Sequence, residues 1–222
     1  MIIKDAVTVI TSAGSPMGRA LALHYCLLGA KVAVTDNDER KLEATYQACR
    51  ASNHNVAKYH LADNSASSIH LFFVYLEKFF GQGADILLNN WQTLPSPNLT
   101  QPNSASLFTT QLSKLTESLF TFGQVYLEHT QQLDKPGLII NVTSSSIGVE
   151  KTVHDSMGDV IKGITKQWAH DLEPYNVRVA AIMPSESSNS SANHWKHQQD
   201  EISRSTEYIV TNDSFTGRVM AA

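Results

Sequence analysis

The sequence predicts an α/β fold, a single doubly wound domain in which a parallel sheet carries helices on both faces. Three observations point there. Short apolar, β-branched runs alternate with segments whose apolar residues recur at helical spacing. The runs are apolar at consecutive positions, as strands buried on both faces require. The first of them ends in a small-residue turn, Ser12-Ala-Gly-Ser-Pro16, that leads directly into a helical pattern.

Ala6 to Thr11 reads as the first strand. Pro16 suits the first turn of the following helix, where a missing N–H has no partner to lose. That helix runs through Met17, Leu21, His24 and Leu28, and Gly29 is placed to end it. Lys31 to Thr35 is the second strand, Asp38 caps a helix to about Ser52, and Val56 to Leu61 is the third strand. A helix from Ser65 to Phe80 and a compact strand from Ile86 to Leu88 follow. Beyond a polar loop from Thr93 to about Ser106, a long helix carries the stripe Phe108, Leu112, Leu115, Leu119, Phe122 and Tyr126. Leu138 to Val142, a helix from Asp155 to Glu173, and Arg178 to Met183 complete the alternation. Ser185 to Ser203 is polar and low in complexity and reads as a mobile loop, before a last helix at Arg204 to Val210 and a short strand at Arg218 to Met220. Strand–helix alternation at this spacing implies right-handed crossovers, with ligands at the carboxyl ends of the strands where strand order reverses.

Composition narrows the partners. Lys and Arg total 17 against 21 Asp and Glu, so no basic footprint for nucleic acid or an anionic membrane is expected. No apolar run approaches a membrane span. The opening Met-Ile-Ile-Lys-Asp leads straight into a strand without the pattern of a secretory signal, so a cytoplasmic setting is the expectation. Cys26 and Cys49 lack metal or redox spacing and read as buried or half-buried thiols.

Several segments, in order along nearly the whole chain, resemble the short-chain dehydrogenase/reductase family. Thr11-Ser-Ala-Gly-Ser-Pro-Met-Gly18 stands where the family has TGxxxGxG, and Asp85-Ile-Leu-Leu-Asn-Asn90 is similar to its DxLVNNAG strand. Leu138-Ile-Ile-Asn-Val-Thr-Ser144 matches the strand that ends in the active-site serine. Gly163-Ile-Thr-Lys166, Asn176 to Pro184, and Phe215-Thr-Gly-Arg218 look like its later landmarks. The resemblance implies a Rossmann-type fold, an NAD(P) cofactor, oxidoreductase activity on a small molecule and a homodimer paired through its long helices. For the dimer, the stripe through Leu112, Leu115, Leu119 and Phe122 offers an apolar surface, though the same stripe also suits packing on the sheet.

The departures bear on function. Family glycines let the backbone approach the pyrophosphate, whose charge the helix N-terminus stabilises. Ser12 and Pro16 replace two of them, leaving Gly18, and Pro16 also removes a donor. Trp91 and Gln92 replace the small Ala-Gly pair beside the adenosine. Family chemistry uses a tyrosine as acid or base and a lysine four residues on that lowers its pKa from about 10. Counting back from Gly163 places the pair at His154 and Gly158, and counting forward from Ser144 places it at Met157 and Ile161. None of the 7 tyrosines is followed by lysine at that spacing, so the motif is absent. The family's supporting asparagine falls near Lys114.

On this resemblance the candidate cofactor contacts are Ser12, Ser15, Met17, Gly18, Asp36, Asp63, Asn89 and Trp91. Asp36, at the end of the second strand, is the residue type that accepts ribose hydroxyls and repels a 2′-phosphate, which favours NAD over NADP, with binding weak or lost. Asp36 and Asp63 also suit ordinary turn and helix-capping duties. Ser144 and His154 are the catalytic candidates that remain; a local backbone cap accounts equally for the first, and a solvated helix start for the second. His194, His197 and Asp200 fall at helical spacing in a polar segment, and no metal is expected there. Two functions therefore stand side by side: an oxidoreductase with weak or lost activity, or a catalytically inactive nucleotide- or metabolite-binding or regulatory protein.

Overall fold

The computed structural model describes residues 1–93, 97–145, 156–184 and 192–222. The chain runs β1 (Val7–Ile10), α1 (Pro16–Leu27), β2 (Lys31–Asp36), α2 (Glu39–Arg50), β3 (Val56–His60), α3 (Ala66–Phe80), β4 (Ile86–Thr93), α4 (Ser104–Gln132), β5 (Gly137–Ser145), α5 (Ser156–Asp171), β6 (Val177–Met183), α6 (Ala192–Thr211) and β7 (Val219–Ala221). The strands form one sheet in the order β3-β2-β1-β4-β5-β6-β7. Every pairing is parallel. Strand order reverses between β1 and β4, and a crevice opens there at the carboxyl edge.

Alternation along each strand divides the core between the two faces. Ile10, Val34, Leu88 and Ile140 point to α1, α2 and α6, where Leu21, Leu42 and Ile202 meet them. Val7, Val9, Leu87 and Ile139 point the other way, onto Phe72 and Phe73 of α3 and Val125 and Tyr126 of α4. Val7, Val9, Ile139 and Ile140 are fully buried, as their apolar, β-branched character requires. Cys26 and Cys49 are both buried, and the neighbouring Cys49 thiol together with burial raises the pKa of Cys26.

Three differences from the sequence expectation have physical causes. β4 and β5 run on to Thr93 and Ser145, because their polar carboxyl-terminal residues pair with one another from Asn89↔Asn141 to Thr93↔Ser145. The segment expected as a polar loop at 185–203 is helical from Ala192, and residues 185–191 lie outside the described residues. Its inward positions Gln198, Ile202, Thr206 and Ile209 are buried at helical spacing, but two of them are polar and give no apolar signal. Along α4, Leu119 and Phe122 turn inward and are buried, Leu112 is half-buried, and the Leu115 side chain lies outside the described residues.

The last turn of α6 is held from the sheet. Arg178 of β6 donates to the carbonyls of Ile209, Val210, Asn212 and Phe215 at 3.1–3.2 Å, so a cation satisfies acceptors that a helix end leaves unpaired. Among the described residues no helix is long and apolar enough to cross a membrane.

Candidate functional site

The site grows from the turn between β1 and α1. Ser12 has φ +47°, a left-handed conformation that glycine adopts freely and serine does not. Hydrogen bonds replace that freedom. The Ser12 carbonyl accepts from Ser15 Oγ at 2.8 Å, from the Ser15 N–H at 3.1 Å and from Asn90 Nδ2 at 3.2 Å. Asn90 Nδ2 also reaches Ser15 Oγ at 2.9 Å, and its backbone N–H donates to Thr11 Oγ1 at 3.0 Å. The end of β4 thereby locks the turn in place. Asn90 Oδ1 is buried without a hydrogen-bond partner among the described residues.

Ser15 caps α1 by accepting from the Gly18 N–H at 3.0 Å. Gly18 lies so close to the turn that a Cβ there would stand 2.3 Å from the Ser12 carbonyl oxygen. Its role is close helix–strand approach, the role of the last glycine in such turns. Met17 points into the core. Of the first amides of α1, Pro16 has no N–H and that of Gly18 is bonded to its cap, so few donors remain for an anion.

Asp36 ends β2 beside this turn. Its Oδ2 accepts from the Gly14 N–H at 2.8 Å and its Oδ1 from the Asp38 N–H at 2.9 Å. A carboxylate has about four lone-pair positions, so acceptor capacity remains on each oxygen. A cavity of about 370 Å³ opens over the ends of β1, β2 and β4, and its lining includes Ser12, Asp36, Leu61, Asn64, Trp91 and Lys114.

The candidate residues thus separate. Ser12, Asp36 and Trp91 line the cavity. Ser15 and Gly18 brace the turn that carries Ser12. Asn89 is buried, with Oδ1 accepting from Thr11 Oγ1 at 3.3 Å and Nδ2 donating to the Leu119 carbonyl at 3.3 Å, so it ties β1, β4 and α4 together. Asp63 is exposed; its carboxylate accepts from the Ser65 N–H at 2.9 Å, and bonds from Ser65 and Ser68 hold its pKa below the usual range. The neighbouring Asn64, not Asp63, faces the cavity. Ser144 is buried at the end of β5, in register with Gln92 of β4. His154 lies outside the described residues.

Sequence reasoning passed over Leu61 and Asn64 as lining, and Asn90 as the lock on the turn. The doubled Asn89-Asn90 was the available signal for Asn90, because a buried strand end carrying two amides must bond something. A larger depression of about 610 Å³ lies on the α6–β7 side against His197, Arg204, Tyr208 and Met220, away from the crevice at the β1–β4 reversal. Among the described residues no group of three His, Cys, Asp or Glu side chains is gathered for a metal.

A family model for short chain dehydrogenases matches residues 6–200. An uncharacterized oxidoreductase of Thermotoga maritima is 27% identical over 187 residues, 83% of this chain and 72% of that protein. The (2S)-[(R)-hydroxy(phenyl)methyl]succinyl-CoA dehydrogenase subunit BbsD of Thauera aromatica is 26% identical over 186 residues, 83% of this chain and 74% of that one. Among solved structures, a 3-ketoacyl-(acyl-carrier-protein) reductase from Brucella melitensis complexed with NADH superposes with a TM-score of 0.78 at 18% identity, covering 99% of this chain and 97% of its own. NAD⁺-bound xylitol dehydrogenase superposes with a TM-score of 0.79 at 20% identity, covering 100% and 98%. The match over most of its length, on a parallel sheet of this strand order, places the chain in the short chain dehydrogenase family.

Proposed function

We propose that this chain binds an adenine nucleotide at the carboxyl ends of β1, β2 and β4, prefers NAD to NADP, and has weak or no ordinary dehydrogenase activity. The observation that carries the reading is the unequal state of the two halves of the site. The adenosine half keeps a cavity and the Asp36 carboxylate, which retains lone pairs for ribose hydroxyls. The pyrophosphate turn fits less well, since it has lost one N–H to proline and engaged another as a cap.

The reacting end lacks a proton donor of the family type. No tyrosine occurs between Tyr126 and Tyr175. Tyr126 is buried at the opposite end of the sheet, where its hydroxyl donates to the Asp85 carbonyl at 2.6 Å and accepts from the Leu138 N–H at 3.0 Å. Burial raises its pKa further, so its proton stays in place. Tyr175 lies in the turn that leads into the amino end of β6. A nicotinamide nucleotide supplies a hydride donor or acceptor when bound, but proton exchange with substrate falls to the chain. Between an enzyme and a binding or regulatory protein, the missing donor favours the second. The assembly we attach to this reading is a homodimer through the outward face of α4, where Phe120 is exposed and meets Trp168 of α5 edge to face.

Calorimetry with both nucleotides tests the reading. A 2′-phosphate beside Asp36 adds like-charge repulsion of about 1 kcal/mol at 4 Å in a water-like medium, so NADP binds about five- to tenfold more weakly than NAD. Asp36→Asn narrows that gap. NADP binding tighter than NAD to the unaltered protein would overturn the Asp36 assignment.

A further inference from the structure

The far end of the cavity differs from its Asp36 end. Trp91 is half-buried and, like Phe108 and Leu112 of α4, packs against a cluster of Leu119 of α4, Ile161 of α5 and Ala181 of β6. Its backbone pairs with Thr143, one residue before Ser144. The indole therefore stands between the adenosine cavity and the end of β5. Lys114 of α4 lines the same cavity, its side chain is exposed, and among the described residues it forms no ion pair. It is the one cationic side chain among the described residues lining the cavity, and Asp36 and Glu117 are the anionic ones.

Resting on the nucleotide reading above, we propose that the cavity is a site for an adenosine phosphate such as ADP, with Lys114 holding the terminal phosphate and Trp91 closing the path that a dinucleotide would follow. The argument is one of charge and length. Ribose hydroxyls at Asp36 place the phosphates over the β1–α1 turn, where the chain offers few N–H donors. An anion of that charge requires another partner, and a flexible ε-ammonium is a compact point charge suited to phosphate. Beyond the phosphates the described neighbours of the indole are apolar and offer no hydrogen bond to a second ribose. At about 370 Å³ the cavity lies near the small end of ligand pockets, which span about 300–1,000 Å³.

The test is calorimetry with adenosine, ADP and NAD on the unaltered protein and on Lys114→Ala and Lys114→Arg. Position 114 is exposed, so both variants fold. The unaltered protein binds ADP about tenfold more tightly than adenosine or NAD, an advantage that shrinks as salt rises. Lys114→Ala loses about three- to tenfold in ADP affinity while adenosine is unchanged, and Lys114→Arg restores most of the loss. ADP binding no tighter than adenosine, or unchanged in Lys114→Ala, would overturn the role of Lys114. NAD binding as tightly as ADP would overturn that of Trp91. Failure of adenosine and ADP alike to bind the unaltered protein would refute the nucleotide reading itself, an outcome distinct from the other two.

Discussion

Purified protein given NAD and a secondary alcohol, or NADH and a ketone, is expected to turn over at least about 10²- to 10⁴-fold more slowly than an ordinary dehydrogenase, the range that general acid–base catalysis supplies. With a typical kcat of about 10 s⁻¹, the expected rate is about 0.1 s⁻¹ or lower. Hydride transfer to a carbonyl leaves an alkoxide that must take a proton as it forms. In the family that the chain resembles, a tyrosine activated by a lysine provides it. Here Tyr126 and Tyr175 bracket a stretch that holds no tyrosine at all, and both places where the family's tyrosine would fall lie inside that stretch. A serine remains at position 144, but an aliphatic hydroxyl is itself a poor acid at neutral pH. Steady-state kinetics decides the matter: a kcat on the order of 10 s⁻¹ would contradict the account. It would direct attention to His154, whose replacement by glutamine should then abolish the rate.

Gly18→Ala is expected to cost about 3 kcal/mol of stability, because overpacking costs about 1–3 kcal/mol and a lost helix cap about 1 kcal/mol more. The new methyl would lie 2.3 Å from the Ser12 carbonyl oxygen and 2.8 Å from Ala13 Cα, both backbone atoms that no rotamer change removes. Either α1 slides away from the turn or Ser12 leaves its left-handed conformation. Both movements pull apart the bonds that Ser15 and Asn90 make to Ser12. For a chain of this length about 3 kcal/mol lowers Tm by roughly 6–12 °C. Gly163→Ala is the matched control, since nothing lies within 4 Å of a Cβ there, and replacing a helical glycine stabilises by up to about 1 kcal/mol. Thermal unfolding of the two variants checks the contrast, and an unchanged Tm for Gly18→Ala would contradict the close-approach role.

The parts of the fold legible in the sequence are those where chemistry and burial agree. Val7, Val9, Ile139 and Ile140 announce buried strands because nothing about them suits water. The ends of β4 and β5 were not legible, since the apolar runs stop at Leu88 and Val142 and the polar residues beyond them give no strand signal until each strand is seen to satisfy the other's backbone. The start of α6 was hidden because Gln198 and Thr206 are polar and yet face inward. At the site, Asp36, Ser12 and Trp91, named through the family resemblance, all line the one cavity over the ends of β1, β2 and β4. Asn64 was missed by one residue, in favour of Asp63, because the turn after β3 decides which side chain faces the cavity. Lys114 was assigned through the family's asparagine, and its place beside Asp36's cavity follows only from how α4 lies across β4.

The central claim is that this chain keeps the adenosine half of a dinucleotide site and has lost the reacting half. A crystal structure grown in excess NAD tests it most directly. The account predicts adenosine in the cavity with its ribose hydroxyls on the Asp36 carboxylate, and a nicotinamide that is not held against β5. An extended dinucleotide that passes Trp91 and lays its nicotinamide ring over Ser144 would contradict it.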